Sequence, residues 1–114
     1  MITYKVYNKE TAPERAKDTL DGYTQKYGFI PNVMAIATES EAALETYTFA
    51  VSALEKSTFT AVELQALYLA ISYENGCKYC VAAHTTVGQM LKLDEGSIKN
   101  LREGKELADP KLNE

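Results

Sequence analysis

Apolar positions alternate weakly at the start of the chain and then recur with helical spacing. Residues 2–7, ITYKVY, predict a strand or an extended arm. Beyond them, apolar residues return every three or four positions, with short polar breaks between the runs. This pattern predicts a series of α-helices after the extended start.

Helix-capping signals divide the helical part of the chain. Thr11–Glu14 and Thr60–Glu63 both have the form of a capping box, in which Thr and Glu stand three residues apart. Glycine beyond an apolar run is typical of a helix end, because it adopts left-handed backbone angles. Further helix starts are predicted near Pro31 and at Ser40, Asp94 and Asp109, and helix ends at Gly28, Asn75-Gly76 and Gly104.

Each predicted helix carries a stripe of residues that we expect to face inward. The segment after Thr60, AVELQALYLAISYE, is apolar on nearly all sides, which predicts a central position. In the other helices the expected inward positions are Ala16, Leu20, Tyr23, Tyr27, Leu44, Tyr47, Val51, Leu54, Ile98 and Leu101.

Length and charge narrow the function classes. The 114 residues predict a single domain spanning 1–114, with a net charge of −4 and no dense Lys/Arg cluster, which argues against nucleic-acid binding. No apolar run is long enough for a membrane span, and the N-terminus has no apolar signal core, so we expect a cytoplasmic protein. Asp109-Pro110 opens a helix with only four residues after it, which indicates either a frayed end or a C-terminus truncated where another helix would begin.

Candidate chemistry is confined to Asn75–His84, NGCKYCVAAH, which holds both cysteines and the only histidine. If Asn75-Gly76 ends one helix, Cys77 begins the next, which is expected to run to about Leu91. The helix dipole there favours thiolate and lowers cysteine pKa values to roughly 3.5–7.5. Cys80 lies one turn beyond Cys77, and His84 lies four residues further on the same face. The spacing is typical of a low-pKa thiol, a resolving thiol and a base.

Other interpretations of these residues remain. The cysteines could be ordinary buried apolar residues, or they could bind zinc with His84 and a fourth ligand, for which Glu74 is the best candidate. A c-type haem is excluded because Val81 follows the second cysteine, where the attachment motif requires histidine. We expect no metal and no cofactor.

The segment AISYENGCKYCVAAHTTVGQMLKL closely resembles the core motif of alkylhydroperoxidase AhpD-like proteins, within the carboxymuconolactone decarboxylase superfamily. The resemblance extends from Phe29 to about Leu107. It implies an all-α fold, a compact helical bundle with CxxC at a helix N-terminus, assembled into homo-oligomers, often trimers or hexamers. It also implies an antioxidant enzyme, a thiol-dependent (alkyl hydro)peroxide reductase, that a lipoyl- or thioredoxin-like dithiol partner recycles.

The resemblance also assigns roles by position. Cys80 corresponds to the cysteine that attacks peroxide, Cys77 to a more exposed resolving cysteine, and His84 to the proton relay. The family usually has glutamate twelve residues before the first cysteine, where this chain has Gln65. Glutamine can form a hydrogen bond but carries no charge, so weak peroxidase activity is expected. Glu74 is a possible substitute in the relay.

Two other functions stay open from the sequence. The superfamily's decarboxylases act on a small lactone acid and do not need a CxxC pair, so the intact pair argues against that class. A non-catalytic redox-sensing or zinc-binding module is the third interpretation. The sequence names neither the peroxide nor the reducing partner.

Overall fold

The computed structural model describes residues 2–114, and these residues form seven α-helices and no strand. In chain order the helices are α1 (Glu14–Tyr27), α2 (Asn32–Ala37), α3 (Glu41–Glu55), α4 (Ala61–Glu74), α5 (Lys78–Met90), α6 (Glu95–Arg102) and α7 (Pro110–Asn113). The all-α prediction is confirmed. No helix in this described part is long and apolar enough to cross a bilayer.

The chain divides into two compact units, and the boundary between Ala53 and Leu54 falls in the last turn of α3. The predicted single domain over residues 1–114 stays a prediction. In the N-terminal unit, residues 2–7 lie outside any helix or strand, and the Tyr7 N–H donates to the carbonyl of Ala35. The core of this unit consists of Ala12, Ala16, Leu20, Met34 and Leu44.

The start of α1 differs from its prediction. Its N-cap is Pro13, which has no side-chain capping bond, and Thr11 instead exchanges hydrogen bonds with Asn8. The predicted Thr11–Glu14 capping box was therefore wrong, because Asn8 accepts the Thr11 backbone N–H and donates its own to the Thr11 hydroxyl. The predicted end was right, since Gly28 adopts a left-handed conformation with φ of 83°.

In α3 the predicted inward stripe is only partly buried. Leu44 is buried and Val51 is half-buried, but Tyr47 and Leu54 are 42% and 40% exposed. The inward prediction is confirmed for Leu44 and was wrong for Tyr47 and Leu54, because periodicity gives a face of a helix but does not specify what covers it. The Ser40 cap is present, since its Oγ accepts the Ala43 N–H.

In the C-terminal unit, α4 is the central helix and packs against α5, α6 and α7, as its apolar composition predicted. The core cluster consists of Ala66, Leu69, Leu93, Ile98, Leu101 and Leu107. The predicted Thr60–Glu63 capping box is confirmed. Glu63 also pairs with Lys111 of α7, and the Lys111 and Thr60 hydrogen bonds lower the pKa of Glu63 to about 2.

The turn between α4 and α5 joins the end of one helix to the start of the next. The Gly76 N–H donates to the Tyr73 carbonyl and the Cys77 N–H to the Ser72 carbonyl, which is the pattern of a Schellman motif. Gly76 has a left-handed φ of 62°, while Asn75 stays right-handed, so the glycine alone makes the turn. Cys77 therefore completes the end of α4 and is also the N-cap of α5.

We expect Gly76→Ala to destabilise the protein by about 1–2 kcal/mol, because an L-residue is strained at this φ. No heavy atom lies within 4 Å of a Cβ built at this position, so the effect isolates backbone strain. Gly22→Ala, inside α1 with the same open surroundings but no positive φ, should stabilise by about 0.5–1 kcal/mol. Chemical denaturation measures the change in the free energy of unfolding for both variants. Equal stability of Gly76→Ala and the parent would contradict the requirement for glycine at this turn.

Candidate redox site

Cys77 and Cys80 form a disulfide at the start of α5, with their Cα atoms 5.3 Å apart. The Cys80 N–H donates to Cys77 Sγ at 3.3 Å, so the first sulfur acts as the side-chain cap of the helix. The first backbone N–H groups of a helix have no partner within it and carry a partial positive charge. The turn thus places the Cys77 sulfur in a position that stabilises negative charge.

Both cysteines are half-buried. The resemblance implied a more exposed Cys77, and the structure places the two residues in the same range of exposure. Since neither residue lies in the core, a small oxidant or thiol can approach the pair from solvent.

His84 lies two turns into α5 and is held by a residue of α4. Its Nδ1 is 3.0 Å from Oε1 of Gln65, a side chain that is only 8% exposed. With the amide oxygen of Gln65 in this position, Nδ1 carries the proton and donates it, because a carboxamide oxygen can only accept a hydrogen bond. In the neutral ring, Nε2 then has a free lone pair and is the nitrogen that can accept a proton.

Burial shifts the pKa of the His84 ring. Desolvation lowers the pKa of His84 below its ordinary value of 6.5, because the charged imidazolium loses contact with water. Gln65 carries no charge that would offset this effect. His84 is therefore mostly neutral at pH 7, in the form that a general base requires.

Glu74, the other relay candidate, lies elsewhere. It is exposed at the last residue of α4, nine residues after Gln65. At 1.5 Å per helical residue this corresponds to roughly 13 Å along the axis. The structure brings Gln65 to His84, and it places Glu74 beside the turn that leads to Cys77.

Tyr68 is a neighbour of His84 that sequence reasoning missed. Its ring centroid lies 4.9 Å from that of the imidazole, with the ring planes tilted by 37°. Tyr68 follows Gln65 by three residues, so both side chains project from the same face of α4. That spacing was a usable signal, since any residue on this face within a turn of Gln65 is a candidate neighbour of His84.

A metal centre needs at least three ligands close together. Within residues 2–114, no three His, Cys, Asp or Glu side chains are grouped in that way. The two cysteines are bonded to each other in this structure.

Comparison of the sequence with known protein families gives a match. The sequence pattern of the carboxymuconolactone decarboxylase family matches residues 38–106, a range that includes the cysteine pair, His84 and Gln65. Among curated proteins, none matches the sequence. Because the family match spans more than half of the chain, this protein belongs to the carboxymuconolactone decarboxylase family.

Proposed function

We propose that this protein is a thiol-dependent peroxide reductase that cycles between the Cys77–Cys80 dithiol and its disulfide. The observation that carries the proposal is the disulfide itself, which is formed at the N-terminus of α5 with Cys77 Sγ as the helix cap. A half-buried cysteine pair at such a position combines access to solvent with stabilisation of thiolate. Family membership and the CxxC pair support redox chemistry of the AhpD-like type.

His84 supplies the base in this proposal. It follows Cys80 by four residues on α5, so the two side chains share a face of the helix. With Nδ1 donating to Gln65, Nε2 is the atom that takes the proton from the Cys80 thiol. A neutral imidazole suits this step, because a protonated one has no lone pair to accept with.

The reaction then proceeds in two steps, the oxidation of Cys80 by peroxide and a condensation with Cys77. The Cys80 thiolate attacks one peroxide oxygen, the O–O bond breaks, and the departing alkoxide or hydroxide takes a proton to become an alcohol or water. Cys80 is left as a sulfenic acid. The Cys77 sulfur attacks it, the S–O bond breaks, water leaves and the disulfide forms.

A dithiol partner completes the cycle. One of its thiolates attacks Cys77, Cys80 leaves as a thiolate, and the partner's second thiol releases the mixed disulfide. Two electrons thus pass from the partner to the protein, and the partner becomes a disulfide. A lipoyl- or thioredoxin-like dithiol fits this chemistry. A homo-oligomeric state and a cytoplasmic location stay predictions.

We expect one equivalent of peroxide to convert the reduced protein to the Cys77–Cys80 disulfide under anaerobic conditions. Intact-mass spectrometry should show the loss of two hydrogens, and a dithiol should restore them. The Cys77→Ser variant, which has one thiol and a serine able to cap the helix, is the control and should show no such loss. Two free thiols remaining in the treated parent protein would refute the proposed cycle.

The roles of the two sulfurs are separable by serine variants. We expect Cys80→Ser to abolish peroxide consumption, because this variant lacks the thiol on the same helix face as His84. In Cys77→Ser, a sulfenic acid should persist on Cys80, since no second sulfur can condense with it. A dimedone-type trapping reagent with peptide mapping locates it, and a sulfenic acid found only on Cys77 in Cys80→Ser would invert the assignment.

Gln65→Glu should raise peroxidase turnover at pH 7 by about tenfold. A carboxylate at this position would accept the same Nδ1–H hydrogen bond and add a negative charge, which raises the pKa of His84 and strengthens it as a base. The expected gain is smaller than the full effect of general base catalysis, because burying the new carboxylate costs free energy. Steady-state peroxide consumption from pH 5 to 9 measures the effect.

Gln65→Leu is the matched control, since it keeps the side chain's bulk but removes the acceptor, and its turnover should fall. Circular dichroism and size-exclusion chromatography show whether each variant is folded and in the parent's oligomeric state. A properly folded Gln65→Glu that is no faster at any pH would show that position 65 does not tune the base.

A further inference from the structure

Two side chains of α4 contact the His84 ring in different ways. Gln65 meets one edge of it through the Nδ1 hydrogen bond, and the Tyr68 ring lies close to the imidazole. The imidazole turns about its Cβ–Cγ bond, and a single hydrogen bond to Nδ1 still permits some of this rotation. A second contact with the ring restricts this rotation, so the two residues together can fix where Nε2 is directed.

We propose that Tyr68 is a positioning residue for His84, whose aromatic ring holds the imidazole in the orientation where Nδ1 meets Gln65 and Nε2 stays available as the proton acceptor. This inference deepens the proposed peroxide reductase function and rests on it for its consequence in catalysis. The role belongs to the ring of Tyr68 and does not require its hydroxyl group. Tyr68 acts through His84 and touches no reacting atom in this assignment.

The contact also shields the base from water. Tyr68 is itself half-buried, and its ring occupies space beside the imidazole that solvent would otherwise fill. Burial lowers the pKa of His84, and the Tyr68 ring lies beside the imidazole. Removing the ring should admit water, favour the charged imidazolium and weaken the preference for one tautomer.

His84 is the only histidine of the chain, so its NMR signals are unambiguous. Long-range ¹H–¹⁵N correlation spectra of the oxidised protein distinguish the protonated ring nitrogen from the free one, and a pH titration gives the midpoint. The parent should show Nδ1–H as its dominant neutral tautomer and a midpoint below 6.5. Tyr68→Phe, which keeps the ring, should reproduce both results.

In Tyr68→Ala the tautomers should mix and the midpoint should rise toward its ordinary value, while kcat/KM for peroxide falls about tenfold. Tyr73→Ala is the matched control, because Tyr73 is also on α4 but its ring lies against Gly104. Its His84 signals should match those of the parent. If Tyr68→Ala does not fold, Tyr68→Leu takes its place with the same expected direction.

The inference is overturned if a folded Tyr68→Ala or Tyr68→Leu keeps the parent's tautomer and titration midpoint. It is also overturned if Tyr68→Phe changes the tautomer and midpoint as much as Tyr68→Ala does. The NMR measurements need no turnover, so they separate this inference from the proposed function. Altered His84 signals in a protein that consumes no peroxide would support the positioning role and refute the reductase. His84 signals unaltered by Tyr68→Ala, in a protein that consumes peroxide, would support the reductase and refute the positioning role.

Discussion

The hydrogen bond from the Cys77 N–H to the Ser72 carbonyl determines how α4 and α5 are joined. It forms only because Gly76 adopts a left-handed conformation, which turns the chain within two residues. With so short a connection, α5 must run back along α4, and the two helices pack closely. The pairing of Gln65 with His84 depends on this return, since the two residues are nineteen apart in sequence.

Gln65 determines the electrostatic character of the site. Its amide oxygen selects the Nδ1–H tautomer as a carboxylate would, because both groups accept a hydrogen bond. The amide lacks the charge that would favour imidazolium, so burial acts on the pKa of His84 without opposition. The result is a base that is correctly oriented and available at neutral pH, but with a weaker attraction for the proton. Orientation and basicity, which a glutamate provides together, are separated in this protein.

Helix starts and ends were predicted most reliably from residues that lie close together in sequence. The Thr60–Glu63 box and the left-handed Gly76 each depend on residues within a single turn, and the structure shows both. The box predicted at Thr11 was wrong for an equally local reason, because Asn8 provides a competing acceptor. The series of helices and the position of Cys77 at a helix start followed from signals of this kind.

Contacts between helices were less accessible to sequence reasoning. Tyr47 fits its helical stripe and is nevertheless exposed, because periodicity gives the face of a helix but not its partner. Tyr68 lies against His84 through the register of α4 on α5, which depends on how buried side chains interlock. The family resemblance pointed to position 65 by its spacing from the cysteines, but it contained no information about the contact between Tyr68 and the imidazole.

The cap at Cys77 connects helix stability to redox chemistry. Its sulfur accepts the Cys80 N–H while it is bonded to Cys80, and a thiolate in the same place is a stronger acceptor. A Cys77 thiolate in this position would cap the first turn of α5 after reduction as the disulfide sulfur does before it. With that cap retained, α5 can keep its start at Lys78, and His84 can keep its place beside Gln65. The chemistry at the sulfurs can then alternate between two oxidation states without requiring the helices that position the base to move.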